Sequence, residues 1–307
     1  MRERIGDRAF GRWPDILAAL GVERRFLRAK NGPCPMCGGT DRWKFDDKGH
    51  GTWLCSHCGA GGGIRLVMLI RGETFPEAAK SIEGVIGSCS YTPPPAEKTK
   101  DEQRAKMNAL WASGQALGAD SVAGRYLTTR TGFLPVCDDL RAIPAMRYHD
   151  DGEPTLHPGL LALVRTAHDR PINVHRTYLA KAGGKANVKH PRKMMGGTVP
   201  HGAAVRLGEI GPTLAIAEGI ETALSVTALF GVPCWAALNA GGLQSWQPPE
   251  GVERVIICAD TDANFVGQAA AYALAKRLCE KWTVEVRLPA EAGQDWNDIL
   301  SARRLAA

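Results

Sequence analysis

The chain has 307 residues, 44% of them hydrophobic and 23% charged, with a formal net charge of +6. This composition is typical of a globular protein with a buried core, and the length predicts about two domains with a small addition. No apolar run approaches the ~20 residues that span a bilayer, and no apolar stretch follows the charged N-terminus, so we expect a cytoplasmic protein without a membrane partner.

Two pairs of cysteines lie in the first sixty residues. Each pair has the spacing Cys-x-x-Cys, and seventeen residues separate the pairs. This spacing predicts zinc, because each pair presents two thiolates from one tight turn and the two turns complete a tetrahedron. Intracellular thiols stay reduced, which argues against disulfides. We therefore expect one structural Zn²⁺ ion, with the ligands Cys34, Cys37, Cys55 and Cys58.

The residues around the cysteines predict a small ribbon of strands. Helices are expected at 13–20 and 23–29, hairpin strands at 42–45 and 52–54, a turn at 59–63 and a helix at 64–70. The exposed faces of such a ribbon can hold single-stranded template by charge and base stacking. The candidates for this contact are Arg42, Trp43, Lys44 and Trp53. Alternatively, the two tryptophans fill the core of a domain this small.

A proline-rich run followed by charged residues predicts a linker at 91–101, after a zinc-binding domain at 1–90. The next region, 102–204, begins with helices expected at 97–117 and 124–132, followed by strands at 160–164 and 172–179. Between Arg165 and Arg206 the sequence carries nine basic residues and one acidic residue, a net charge of +8 that leaves −2 for the rest of the chain. Such a concentration is expected where a polyanion docks. The candidate nucleotide- and template-binding residues are Arg176, Lys185, Lys189 and Lys193.

The last region, 205–307, alternates strands and helices and predicts an α/β fold with a small parallel sheet. Strands are expected at 213–217, 234–237, 255–258 and 284–288, with helices at 221–230 and 267–280 and a turn at 239–242. A last helix opens at Asp295. In this topology the strand ends meet at one edge of the sheet.

Acidic residues follow two of these strands directly. Glu218 and Glu221 come after the strand at 213–217, and Asp260 and Asp262 come after the strand at 255–258. Carboxylates gathered at one edge repel unless a cation lies between them, and hard oxygen ligands suit Mg²⁺, which leaves positions open for phosphate oxygens. Helix capping is the alternative role, but it explains one acid rather than several that converge.

These motifs resemble known families. Glu-Gly-Ile-Glu-Thr-Ala at 218–223, Asp-Thr-Asp at 260–262 and Asp-Trp-Asn-Asp at 295–298 resemble a Toprim domain, which bacterial-type primases, topoisomerases and some nucleases share. The string from 34 to 45, with Cys-Ser-His-Cys-Gly at 55–59, resembles the zinc-binding domain of phage and plasmid primases and primase-helicases. The resemblance implies a zinc ribbon, then a basic α+β subdomain of a primase catalytic core, then the Toprim domain.

The resemblance also implies roles for the acidic residues. Asp260 and Asp262 match metal ligands, Glu218 matches a glutamate that is a metal ligand or general base, and Asp295 matches a further carboxylate of the metal site. Two positions depart from the pattern of cellular primases. Thr222 stands where they carry a second acid, with Glu221 displaced by one residue, and Asn297 stands where they carry a late aspartate. The number of metal ions is left open.

The resemblance implies a DNA-dependent RNA primase that makes short RNA primers on single-stranded DNA from ribonucleoside triphosphates, for replication of a phage or mobile element. Glu218, Asp260 and Asp262 are the expected catalytic residues, with Mg²⁺ or Mn²⁺ as catalytic metal and a separately encoded replicative helicase as partner. Two alternatives stay open: a Toprim-type Mg²⁺-dependent nuclease, and a non-catalytic single-strand-binding replication protein.

Overall fold

In a computed structural model of the protein, the described residues are 4–93, 99–150, 153–196 and 199–306. The chain separates into two compact units, Met1–Glu97 and Lys98–Ala307. Residues 94–98 of the predicted linker lie outside the described residues. Across the described ranges, no helix is long and apolar enough to cross a membrane.

The first unit is built on an antiparallel sheet that the cysteine turns interrupt. Its strands follow one another in sequence order: β1 (Gly32–Cys34), β2 (Gly38–Phe45), β3 (Trp53–Cys55) and β4 (Gly59–Gly61). The helices around it are α1 (Ile5–Arg8), α2 (Trp13–Ala19), α3 (Gly63–Arg71) and α4 (Phe75–Ile86). The helix predicted at 23–29 is wrong, since only a 3₁₀ turn forms at Arg24–Phe26. The Phe26 carbonyl accepts a hydrogen bond from the Trp43 indole at 2.7 Å, which ties the chain to β2 at this point.

Trp43 and Trp53 form the centre of this small core, so the prediction that they lie on exposed faces is wrong. They are 2% and 1% exposed, and their rings stack with centroids 5.3 Å apart. Each indole N–H donates to a backbone carbonyl, of Phe26 and Gly62 respectively. A ribbon of short strands has few apolar side chains, so its largest rings are used inside it. Neither ring is available to stack on a base.

The second unit contains one mixed sheet of ten strands within its described residues. In chain order the strands are β5 (Gln115–Ala116), β6 (Leu140–Tyr148), β7 (Thr155–Arg165), β8 (Pro171–Tyr178), β9 (Arg192–Met194), β10 (Ala204–Val205), β11 (Thr213–Ala217), β12 (Cys234–Ala236), β13 (Arg254–Cys258) and β14 (Thr283–Arg287). The helices are α5 (Lys100–Ala112), α6 (Val122–Thr131), α7 (Ile220–Phe230), α8 (Ala240–Ser245), α9 (Val266–Leu278) and α10 (Trp296–Leu305).

Four of these strands form the parallel part of the sheet, in the order β14-β13-β11-β12. Strands β11 and β13 are buried along almost their whole length, because helices cover both faces of a parallel sheet. Strand β10 is antiparallel to both β12 and β7, and it joins the parallel part to the strands of the basic region. The predicted boundary between 204 and 205 falls inside β10, so both predicted regions share one sheet.

Two predicted elements differ from the structure for local reasons. The helix predicted at 97–117 ends at Ala112, because Gln115 and Ala116 pair with β6 as β5. The turn predicted at 239–242 is the first turn of α8, whose N-terminus is capped by the Asn239 side chain. Gly242 is needed there, since a Cβ atom would lie 2.2 Å from the Ala237 carbonyl oxygen.

We predict that Trp43→Ala lowers the free energy of unfolding of the first unit by about 3–5 kcal/mol, because it empties the centre of a small core. Hydrogen exchange of the β2 and β3 amides in the full-length protein measures this loss. Leu54 lies next to Trp53 but is 56% exposed, so Leu54→Ala is the control and should change the value by less than about 0.5 kcal/mol. Equal losses in the two variants would contradict the assignment of Trp43 to the core.

Candidate active site and zinc centre

The four predicted zinc ligands converge at one end of the first sheet. Cys34 and Cys37 lie at the turn between β1 and β2, and Cys55 and Cys58 lie at the turn between β3 and β4. All four sulfur atoms lie within 4.8 Å of one another, with 3.9 Å between Cys34 and Cys58 and 3.7 Å between Cys37 and Cys55. A tetrahedron with Zn–S bonds of about 2.3 Å has edges of about 3.8 Å, so these side chains form a Cys₄ zinc-binding site.

Backbone amides support the thiolate form of these ligands. The amide of Met36 donates to Cys34 Sγ, and the amides of His57 and Cys58 donate to Cys55 Sγ, each at 3.4 Å. Burial acts to raise the pKa of the Cys55 thiol, but the amides of Cys58 and His57 and the neighbouring thiols outweigh it and lower the pKa to about 7. Burial raises the pKa of Cys34, and the neighbouring thiols and burial raise that of Cys58. Deprotonated sulfur is the form that binds the metal, so the surroundings of Cys55 favour the binding form while metal binding would have to displace protons from the other thiols.

Two basic residues of the predicted template contact remain available on the ribbon. Arg42 and Lys44 alternate with Trp43 along β2 and therefore lie on the opposite face, where both are half-buried. The Arg42 guanidinium lies 4.0 Å from Cys37 Sγ, so it also contributes positive charge beside the thiolates.

The acidic residues predicted for the metal site line one cleft of about 460 Å³ in the second unit. Strands β11 and β13 are parallel, with Ala217 opposite Cys258, and this register brings the turns that follow them to the same edge. Asp295 reaches the cleft from the N-terminus of α10. The side chains that the structure brings together are Glu218, Asp260, Asp262 and Asp295.

Asp260 is the most strongly perturbed of these carboxyl groups. Burial, followed by the negative charges of Asp295, Glu218 and Asp262, raises its pKa to about 7. Its Oδ1 atom is buried and has no hydrogen-bond partner among the described residues. Burial and the charge of Asp262 also raise the pKa of Glu218. A buried oxygen without a donor, surrounded by other carboxylates, fits a divalent cation as its missing partner.

The cleft is not a closed cage for an ion. Within the described ranges, no three of its acidic side chains place their ligand oxygens within 4.8 Å of one another. Mg²⁺ typically binds one or two carboxylates and completes its octahedron with water and substrate phosphates. A divalent ion bound here would therefore contact few carboxylates and keep positions open for other oxygen ligands.

Capping accounts for only one of the acids. Asp295 caps α10, where its side chain accepts a hydrogen bond from the Asp298 amide at 2.8 Å, and it lines the cleft as well. Asp260 caps no helix, since α9 begins only after Phe265 and has no side-chain cap within the described ranges. The capping alternative is therefore wrong for Asp260.

Basic residues line the same cleft, and only part of the predicted set is among them. Lys185 and Lys193 line it, but neither Arg176 nor Lys189 belongs to the described residues that do so. Arg176 alternates with His175 along β8 and lies on the opposite face, where its guanidinium donates to the Met194 carbonyl at 3.0 Å.

Sequence reasoning missed other side chains of the cleft. Arg192 belongs to the basic segment but is not among the predicted phosphate-binding residues. Arg130 lies in α6, outside that segment. His175 is 7% exposed, and burial lowers its pKa to about 4, so its imidazole is neutral at physiological pH. Glu221, which the sequence analysis placed among the acids at this edge without selecting it as a metal ligand, also lines the cleft. Strand alternation around the basic segment would have indicated His175, but Arg130 has no sequence signal.

Backbone strain is located beside Glu218. Leu238 has a φ of 71°, in the left-handed region that a branched residue rarely adopts. Its amide donates to the Glu218 carbonyl at 2.6 Å, and its side chain lines the cleft. Strain of this kind persists only where surrounding contacts impose it, and the hydrogen bond to Glu218 is one such contact.

Comparison with known families agrees with this geometry. A family profile described as a Toprim domain matches residues 213–304, and one described as the zinc-binding domain of primase-helicase matches residues 29–64. The chain carries a Toprim domain and a primase-type zinc ribbon. Between them, residues 101–207 match a domain of unknown function. The cleft therefore combines carboxylates of the Toprim domain with basic residues of the preceding domain.

Solved primase structures show distant similarity. The zinc-binding and RNA polymerase domains of the Aquifex aeolicus primase match with 14% identity and a TM-score of 0.39, over 100% of this chain and 84% of that one. The primase fragment of the bacteriophage T7 primase-helicase protein matches with 15% identity and a TM-score of 0.40, over 90% and 96%. A DNA primase domain from Pseudomonas aeruginosa matches with 14% identity and a TM-score of 0.34, over 52% of each chain.

We predict that a chelator removes about one zinc ion per chain and abolishes hydrogen-exchange protection in β1 to β4, because binding of a structural metal contributes folding free energy. Protection in β11 and β13 of the Toprim domain should persist. Cys37→Ser should lower the zinc content measured by atomic absorption, whereas the exposed Cys279→Ser should leave it unchanged. Full protection of the ribbon after zinc loss would show that the ion is not structural.

We predict that Asp260→Asn stabilises the metal-free Toprim domain increasingly as pH rises from about 4 to about 7. The raised pKa of Asp260, about 7, means that the folded state prefers the protonated acid. Its stabilising contribution is therefore complete below the unfolded pKa of about 3.9 and is lost as pH rises through 7. Thermal unfolding without metal measures the difference, which should level off above pH 8. A difference that narrows with rising pH would contradict it.

Proposed function

We propose that this protein is a DNA primase that synthesises short RNA primers on a single-stranded DNA template by nucleotidyl transfer. The observation that carries the proposal is the cleft in which Toprim carboxylates and basic side chains face the same space. An acidic half suits divalent cations and a basic half suits phosphates, so the cleft matches the charge distribution of a nucleoside triphosphate with its metal. The primase-type zinc ribbon on the same chain supports the assignment.

The acidic half would hold the metal through Asp260, Asp262 and Asp295, with Glu218 beside them. When bound, Mg²⁺ or Mn²⁺ would neutralise charge on the triphosphate and lower the pKa of the attacking hydroxyl. The buried Oδ1 of Asp260, which lacks a donor among the described residues, would gain its partner in this way.

The protein's own side chains orient the reacting groups. In the proposed reaction the 3′-oxygen of the growing strand forms a bond to the α-phosphorus of a ribonucleoside triphosphate. The bond between this phosphorus and the oxygen that bridges it to the β-phosphorus breaks, and pyrophosphate leaves. Glu218, whose pKa is raised, can accept the proton of the 3′-hydroxyl. Lys185, Arg192 and Lys193 would hold phosphate groups, since phosphoryl transfer depends mainly on positioning and electrostatics.

The zinc ribbon would contact the template through phosphates rather than bases. Arg42 and Lys44 carry the positive charge of β2, whereas the two tryptophans are buried. Such contacts depend on salt and carry little sequence preference.

We propose a separately encoded helicase as the source of single-stranded template, and a replicating phage or mobile element as the setting.

We predict that Asp260→Asn lowers primer synthesis by at least about a hundredfold while template binding changes by less than about threefold, because the variant loses a metal ligand but no phosphate contact. Labelled ribonucleotides, single-stranded DNA and Mg²⁺ measure synthesis, and fluorescence anisotropy measures binding. Glu280→Gln removes an acid that is exposed beyond the end of α9, so it is the control and should keep full activity.

The same assay separates the primase from its alternatives. Oligoribonucleotides that disappear in the Asp260→Asn variant would support the primase. Shortened template with no incorporation would instead support a nuclease, and bound but unchanged DNA would support a replication accessory protein. Either of the last two results would overturn the proposed function.

A further inference from the structure

Glu221 lies in the cleft but has surroundings unlike those of the metal-site acids. It is in the first turn of α7 and is only 8% exposed. Its Oε1 atom lies 3.1 Å from Lys185 Nζ and accepts a hydrogen bond from the Tyr126 hydroxyl. The carboxylate therefore has a cation and a donor of its own.

These contacts set the pKa of Glu221. Burial raises its pKa, but the charge of Lys185 and the hydrogen bond from Tyr126 outweigh burial and hold the pKa to about 2. Asp260 shows the opposite shift, because burial and then the negative charges of other acids raise its pKa, and no cation of the described residues offsets them. Glu221 is thus a stable buried anion without an added cation, whereas Asp260 is not.

Lys185 is held in place by its backbone as well as by Glu221. The turn before it contains Gly183 and Gly184, with φ values of 108° and 76° in the left-handed region. The Ala180 amide donates to the Gly184 carbonyl at 3.1 Å, and Leu179 and Lys185 form a β-bridge across the turn. This tight turn extends β8 and delivers the lysine to the cleft at a fixed position.

Tyr126 fixes the carboxylate from the other side. It lies in α6 and is 3% exposed, so its hydroxyl has little freedom to turn to water. A lysine ammonium has three protons, and Glu221 needs only one of them. The remaining protons of Lys185 are available to a ligand in the cleft that this side chain lines.

We propose that Glu221 is a positioning residue that holds the Lys185 ammonium ready for a phosphate group of the incoming nucleoside triphosphate, and that it is not a ligand of the divalent cation. The nature of the substrate rests on the proposed primase function. Glu221 stands one residue before Thr222, the position at which cellular primases carry their second acid. Glu221 thus pairs with a basic residue of the cleft, Lys185, instead of binding the metal.

The test compares Glu221→Gln, Lys185→Met and the double variant. Each single variant should raise KM for the nucleoside triphosphate about tenfold with kcat changed by less than about threefold, since it weakens ground-state binding through a charged hydrogen bond. The Mg²⁺ concentration that gives half-maximal activity should not change. The double variant should be no worse than either single variant, because both remove one interaction.

Controls separate positioning from general damage. Tyr126→Phe removes the hydroxyl but keeps the ring, so it should raise KM in the same direction by less than about tenfold. Lys281→Met removes an exposed lysine beyond α9 and should leave KM unchanged. If Glu221→Gln does not fold, Tyr126→Phe and Lys185→Met still decide the matter, since unchanged KM values in both would refute the proposal.

Three results would overturn the inference. A higher Mg²⁺ requirement of Glu221→Gln at unchanged KM would make Glu221 a metal ligand. Single effects that multiply to about a hundredfold in the double variant would mean that the two residues act independently. Finally, calorimetric titration with ATP and Mg²⁺ gives a readout that does not require synthesis: unchanged affinity in Lys185→Met would refute the phosphate contact. If the protein makes no primers but Lys185→Met still weakens ATP binding, the phosphate contact is supported and only the primase assignment fails.

Discussion

Repulsion between carboxylates at one edge of a parallel sheet is the constraint on which this structure depends. The register of β11 and β13 places Glu218 and Asp260 at neighbouring strand ends, and Asp262 follows two residues later. Burial and this crowding raise the pKa of Asp260 to about 7, so the ionised cleft opposes folding. The surrounding hydrophobic core holds the charges together, and under the proposed function a bound cation would remove this opposition to folding.

The cleft contains two acids with different neighbours: Glu221 is buried, and Asp260 is half-buried with one buried oxygen. Asp260 has an oxygen without a donor among the described residues, whereas Glu221 is paired with Lys185 and Tyr126. The same functional group therefore has a raised pKa in one place and a lowered pKa in the other. Asp260 lies among other acids, whereas Glu221 lies beside a lysine. Under the proposed function, this difference would separate metal binding by Asp260 from phosphate binding by Lys185 within a single pocket.

Patterns that depend on local spacing were predictable from the sequence. The Cys-x-x-Cys pairs gave the zinc site, and apolar runs ending in acids gave the parallel strands whose ends meet in the cleft. Orientation was not predictable, since alternation along a strand shows which residues share a face but not which face is covered. Trp43 and Arg176 were misplaced for this reason. The two-residue strand β10 pairs only with distant strands and leaves no local signal.

The departure from the family pattern at Asn297 has a packing explanation. Asn297 is 1% exposed, and its amide nitrogen donates to the Arg130 carbonyl at 2.7 Å and to Ser225 Oγ at 2.9 Å. An aspartate there would place a carboxylate against a carbonyl oxygen, which repels it, at a position that is almost closed to solvent. The amide instead ties α10 to α6 and α7. Because Asp295 caps the same helix, this buried amide helps to keep Asp295 in the cleft.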